Sequence, residues 1–70
     1  MILFNELIRR HNIKDRLEKV YIAKKYIVRL SKHKQFSADP VRTRIHLHDG
    51  SAVIVDLDMR RAAERIRAAV

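Results

Sequence analysis

Apolar positions change their spacing along this chain, and each spacing predicts a different element. In residues 2–11, Phe4, Leu7, Ile8 and His11 recur three and four apart, the repeat of one helix face. Glu6 falls in the first turns, where the helix dipole favours an anion. Asn12 can end this helix in a left-handed conformation or cap the next, and Asp15 three residues later supports the cap. A second helix is expected from about Ile13, carrying Leu17 and Val20 inward.

Residues 20–31, VYIAKKYIVRLS, satisfy two patterns at once. At period two Val20, Ile22, Tyr26, Val28 and Leu30 share a side, with Lys24 intruding, and the β-branched and aromatic content favours a strand. No Gly or Pro separates the stretch from the preceding helix, which favours continuation. The expectation is a helix to about residue 24 and a strand near 26–31. Residues 32–40, KHKQFSADP, form a connector, because Ser37, Asp39 and Pro40 are turn chemistry and Pro40 biases Asp39 away from helical angles.

From 41 to 58 two alternating runs flank Asp49 and Gly50, a strong hairpin signal. A two-residue turn would set Arg44 opposite Val55 and mix basic with apolar groups on both faces. A three-residue loop, His48, Asp49 and Gly50, sets Leu47 opposite Ser51, Ile45 opposite Val53, Thr43 opposite Val55 and Val41 opposite Leu57. A slip of one residue exchanges the faces, so the pattern selects the three-residue loop. Val41, Ile45, Leu47, Val53, Val55 and Leu57 then share one face. Arg42, Arg44 and His46 share the other with Ala52, Ile54 and Asp56, and His48 sits at the turn. Beyond the hairpin, Asp58 caps a helix whose Met59, Ala62, Ala63, Ile66 and Val70 form one stripe.

These elements define an α+β fold: an N-terminal helical segment, a small antiparallel β-sheet of two or three strands built on the hairpin 41–57, and a C-terminal helix packed on its apolar face. The length makes residues 1–70 a single domain. A chain this short hides only about 60–65% of its unfolded surface, and without cysteine no disulfide adds to the core. Pairing of two copies would add buried area, so a homodimer is expected. The apolar run MILF is too short for a signal-peptide core or a membrane span. A soluble, cytoplasmic protein that makes no use of a membrane is expected.

Charge turns this fold towards a partner class. The net charge is +8, with ten Lys/Arg against three acids in residues 1–36 and six against five in residues 37–70. A field of this sign draws polyanions. Lys14, Lys19, Lys24, Lys25, Arg29, Lys32 and Lys34 are interleaved with Tyr21 and Tyr26; the cations suit phosphates and the tyrosines suit unpaired bases. These seven are the first candidates for nucleic-acid contact, with Arg42 and Arg44 second. No reading helix or RNP motif accompanies them, so phosphate contact is expected rather than sequence readout, with DNA and RNA both open.

Other chemistries find less support. His46 and His48 alternate on one strand, but zinc needs a third and usually a fourth ligand, and no spacing selects among Asp49, His33 and His11. No metal and no cofactor is expected. The same histidines beside Arg42 or Arg44 supply the residue types of a small ribonuclease. Without a Ser-His-Asp order, a paired-carboxylate site, a phosphate loop or an HExxH motif, no catalytic activity is expected. The expected function is non-catalytic nucleic-acid binding in a regulatory or accessory role. The alternative is a small adaptor or inhibitor, of the kind phages and mobile elements carry, docking on an acidic protein surface with Ile54 or Tyr21 at its apolar centre.

Overall fold

Period-two alternation governs most of the chain. The computed structural model describes residues 1–10 and 14–70 as five strands, β1 (Ile2–Ile8), β2 (Arg16–Ile22), β3 (Ile27–His33), β4 (Arg42–Leu47) and β5 (Ala52–Val55), followed by one helix, α1 (Met59–Ala68). The strands make one antiparallel sheet in the order β2-β1-β5-β4-β3.

The N-terminal helical segment is not there, and the sheet has five strands rather than two or three. ILFNELI is a short apolar run that fits both periods, and an antiparallel partner decides it. Ile2 pairs with Ile22 and Phe4 with Val20, turning both pairs inward, while Leu3 pairs with Tyr21 and Leu7 with Leu17 on the other face. Leu17, expected inward on a helix, is therefore 52% exposed. The helix-stripe position of His11, the break at Asn12 and the helix start at Ile13 lie outside the described residues.

Residues 20–31 also differ from expectation. β2 runs through Ile22 and a 3-10 turn at Lys24–Tyr26 replaces the expected helix; β3 follows. An irregularity between Ile27 and Arg29 then shifts the phase of β3, so Ile27 and Leu30 pack towards the core and Val28 is exposed. The hairpin takes the three-residue loop: Ile45 faces Val53, Thr43 faces Val55, and Gly50 has φ 89°, a left-handed angle that suits glycine. Val41, placed with the core by the alternation, lies before β4 and is exposed.

The two edge strands, β2 and β3, are joined by the four residues 23–26. In a flat five-stranded sheet the edges stand about 19 Å apart, four spacings of ~4.8 Å. A 3-10 turn rises only ~2 Å per residue and cannot bridge that gap. The sheet is therefore curled into an open half-barrel, with its seam between β2 and β3.

Ile2, Phe4, Ile22, Ile45, Val53 and Val55 fill the inside of the curl, and α1 closes over them with Ala62. Asp58 Oδ1 caps the helix by accepting from the Arg61 N–H at 2.8 Å. Arg65 Nη1 donates to the Leu3 carbonyl at 3.1 Å, tying the helix to β1. The helix ends at Ala68, so Val70, expected on its stripe, is fully exposed and Ala69 packs in its place.

Candidate nucleic-acid interface

With α1 on the inner face, the outer face of the sheet carries the second set of alternating side chains. Along β3 and β4 these form three successive cross-strand pairs: Arg29 with His46, Ser31 with Arg44, and His33 with Arg42. Partners in such pairs share a face, so three guanidinium groups and two imidazoles crowd one strip. Among the described residues no ion pair reaches the arginines of this strip; the ion pairs there join Arg9 to Asp15 and Asp39, Arg16 to Glu18, and Arg60 to Glu64.

The strip is internally hydrogen-bonded. Ser31 Oγ lies 2.8 Å from His46 Nε2, and Arg44 Nη2 lies 3.1 Å from His33 Nδ1. A guanidinium can only donate, so His33 Nδ1 accepts and the ring is neutral in this arrangement. Burial pushes the His33 pKa down, and the charges of Arg44, Arg9 and Arg42 push it the same way. His46 is lowered by burial first and then by Arg29 and Arg44. In both, burial is the larger cause and the neighbouring arginines the smaller one, with the Asp39 carboxylate opposing the shift at His33.

The other candidates fall elsewhere. Lys19 is on the outer face of β2, three strands from β4 across β1 and β5. Lys24 and Lys25 occupy the 3-10 turn, where Lys24 Nζ donates to the Ala69 carbonyl at 3.1 Å and Lys25 Nζ stands 5.6 Å from the Tyr26 ring centre. Lys32 pairs with Thr43 and so belongs to the inner side, while Lys14 and Lys34 lie beyond the strand ends. The nine candidates are thus divided. Arg29, Arg42 and Arg44 come together, and the lysines line the two open edges and the turn between them. Lysine on an edge strand also discourages pairing with another chain, a structural reason for Lys19 on β2 and Lys32 on β3.

Two features were missed from the sequence. Arg9, not a candidate, hydrogen-bonds Asp15 and Asp39 at 2.7 Å each, reaches Gln35 Oε1 at 3.2 Å and packs 5.1 Å from the Phe36 ring centre. It clasps the segment after β1 to the connector between β3 and β4. Asp15 and Asp39 are held below the usual carboxylate range, chiefly by hydrogen bonds from Arg9. Ser31 and His33 join the basic strip only through the β3–β4 register; period-two reading of IVRLSKH was the available signal.

The second feature is a cavity of about 410 Å³ at the turn end of the seam. Val20, Ile22, Leu47 and Val53 line it, as do Tyr21 and Tyr26. His48 and Asp49 are also in its wall, and the His48 N–H donates to the Tyr26 carbonyl at 2.8 Å. His46 and His48 therefore serve different places, one engaged by Ser31 and one in the hairpin turn. No group of three His, Asp or Glu side chains among the described residues stands close enough to hold a metal ion, and His11 lies outside them. Among the described residues no helix is long and apolar enough to cross a membrane.

Comparison with protein-family models, with characterised proteins and with solved structures gives no significant match for this chain.

Proposed function

We propose that this protein is a small cytoplasmic, non-catalytic nucleic-acid-binding protein with a regulatory or accessory role. The observation that carries the reading is the strip of Arg29, Arg42 and Arg44 on adjacent strands, without an ion pair among the described residues, on the sheet face that α1 leaves open. Phosphates supply the charge this strip lacks, and release of their counterions supplies affinity. Lys14, Lys19, Lys24, Lys25, Lys32 and Lys34 extend the positive field along both edges and steer a polyanion towards the strip. The contacts are to the sugar–phosphate backbone, so affinity is expected to vary little with sequence.

The test is binding to labelled duplex DNA and single-stranded RNA over a series of salt concentrations. The reading expects affinity to fall steeply with salt; a charge reversal at Arg42 and Arg44 should abolish most of it in a folded protein. Absence of binding to both probes at low salt would overturn the reading.

A second reading has its own support. Beside Arg44 on the outer face comes Ile54, and Leu7 and Leu17 form a cross-strand pair on the same side. An apolar patch flanked by arginine also suits an acidic protein surface, the adaptor or inhibitor function. A second copy of the chain would pair through the same patch.

A further inference from the structure

The cavity at the seam gives the two tyrosines a common task. Tyr21 is the penultimate residue of β2, Tyr26 closes the 3-10 turn, and both line one opening. Both are more than half exposed, Tyr21 at 61% and Tyr26 at 52%, so neither is consumed by the core. The buried Ile22 and Val53 line the opening together with Val20 and Leu47, and His48 and Asp49 are its polar wall. Its volume of about 410 Å³ lies in the ~300–1,000 Å³ range of small-ligand sites. Lys24 and Lys25 sit in the turn itself, and Lys25 stands 5.6 Å from the Tyr26 ring centre.

We infer that this cavity receives one unpaired nucleobase of a bound strand, so that the target is single-stranded rather than duplex nucleic acid. The inference rests on the nucleic-acid reading above and gives it a substrate class. A largely apolar opening with two tyrosines at its margin offers rings on which any base can stack, while Lys24 and Lys25 in the adjoining turn match the phosphates that flank that base. In a duplex the bases are stacked and paired inside, and entry would require flipping one out against that stacking. An acidic peptide would satisfy Lys24 and Lys25 but offers no base for the two tyrosines to stack on. The unclosed seam of the half-barrel is thus the part of the fold that distinguishes a base from a bare polyanion.

The chain itself reports on the site. Tyr21 and Tyr26 are its only tyrosines and it has no tryptophan, so its intrinsic emission arises at the cavity wall. The experiment titrates the full chain with three labelled probes at low salt: an oligothymidine, an abasic strand of equal length, and a duplex. Anisotropy gives affinity and tyrosine emission reports occupancy. The expected result is quenching by oligothymidine alone, with the abasic strand and the duplex each bound about tenfold more weakly. Tyr26→Ala should lose that tenfold preference and Tyr26→Phe should keep it; an exposed position tolerates both. Equal, salt-sensitive binding of oligothymidine and abasic strand without quenching would overturn the inference and leave the phosphate reading standing. So would an unchanged preference in folded Tyr26→Ala. No binding of any probe would remove the phosphate reading as well.

Discussion

Thr43 and Arg44 are neighbours in β4 and face opposite surroundings. Thr43 is fully buried beneath α1 with its hydroxyl unpartnered among the described residues; Arg44 points to the face that no element covers. The same contrast runs through β1, β2 and β5: Phe4 against Leu3, Val20 against Tyr21, Val55 against Ile54. On the inner face side chains are selected to fill volume, because seventy residues leave little core to spare. On the outer face no contact among the described residues requires arginines, histidines and leucines to stand together, and the proposed polyanion would account for the arginines.

Substitutions can test how complete that division is. The largest effect is expected from Phe4→Ala, which removes a fully buried ring and should destabilise the fold by about 3–5 kcal/mol, enough to leave it largely unfolded. Leu17→Ala, on the outer face, should change stability by less than about 0.5 kcal/mol. Chemical denaturation would compare them, and a large loss at Leu17 would mean the outer face is packed in solution. Thr43→Val keeps the shape and removes the unsatisfied hydroxyl, so it should stabilise the protein by about 1 kcal/mol.

The smallest effects concern protons. His33 and His46 have lowered pKa values in the folded chain. The stability linked to their neutral forms is present above the unfolded value of about 6.5 and is lost as pH falls through the folded ones. Asp15 and Asp39 are also lowered, so their contribution is present above the unfolded value of about 3.9 and is lost at still lower pH. Thermal melts should therefore show a gentle decline below about pH 6.5 and a second one below about pH 4. Replacing His33 and His46 with Gln should remove the first decline, and Arg9→Gln should flatten the second. A profile unchanged by Arg9→Gln would separate acid lability from the clasp.

The C-terminal part of this architecture was legible from the residues and the N-terminal part was not. Between 41 and 57, β-branched residues alternate with basic ones, and only one register keeps them apart. Asp58 and the alanines after it mark a helix by local chemistry alone. MILFNELI carries no such information. It satisfies a helix and a strand equally, and its state is fixed by β2 and by β5, whose Val55 pairs with Glu6. In residues 20–31 the turn at Lys24–Tyr26 and the irregularity at Ile27 each reset the alternation, which no single period describes. The site followed the same division. Arg29, Arg42 and Arg44 were visible by residue type. The part played by Ser31 and His33 required the β3–β4 register, and that of Arg9 required contacts to Asp15 and Asp39, 6 and 30 residues away.

The central claim is that the outer strip of β3 and β4 holds phosphates, and the salt dependence of binding tests it most directly. Affinity for a labelled single strand would be measured across a salt series for the wild-type chain and for Arg44→Gln, with folding checked by circular dichroism. The account predicts steep weakening with salt in the wild type and, in the variant, weaker binding with a log–log slope shallower by about 0.7 per lost phosphate contact. A folded Arg44→Gln protein with unchanged affinity and slope would contradict it.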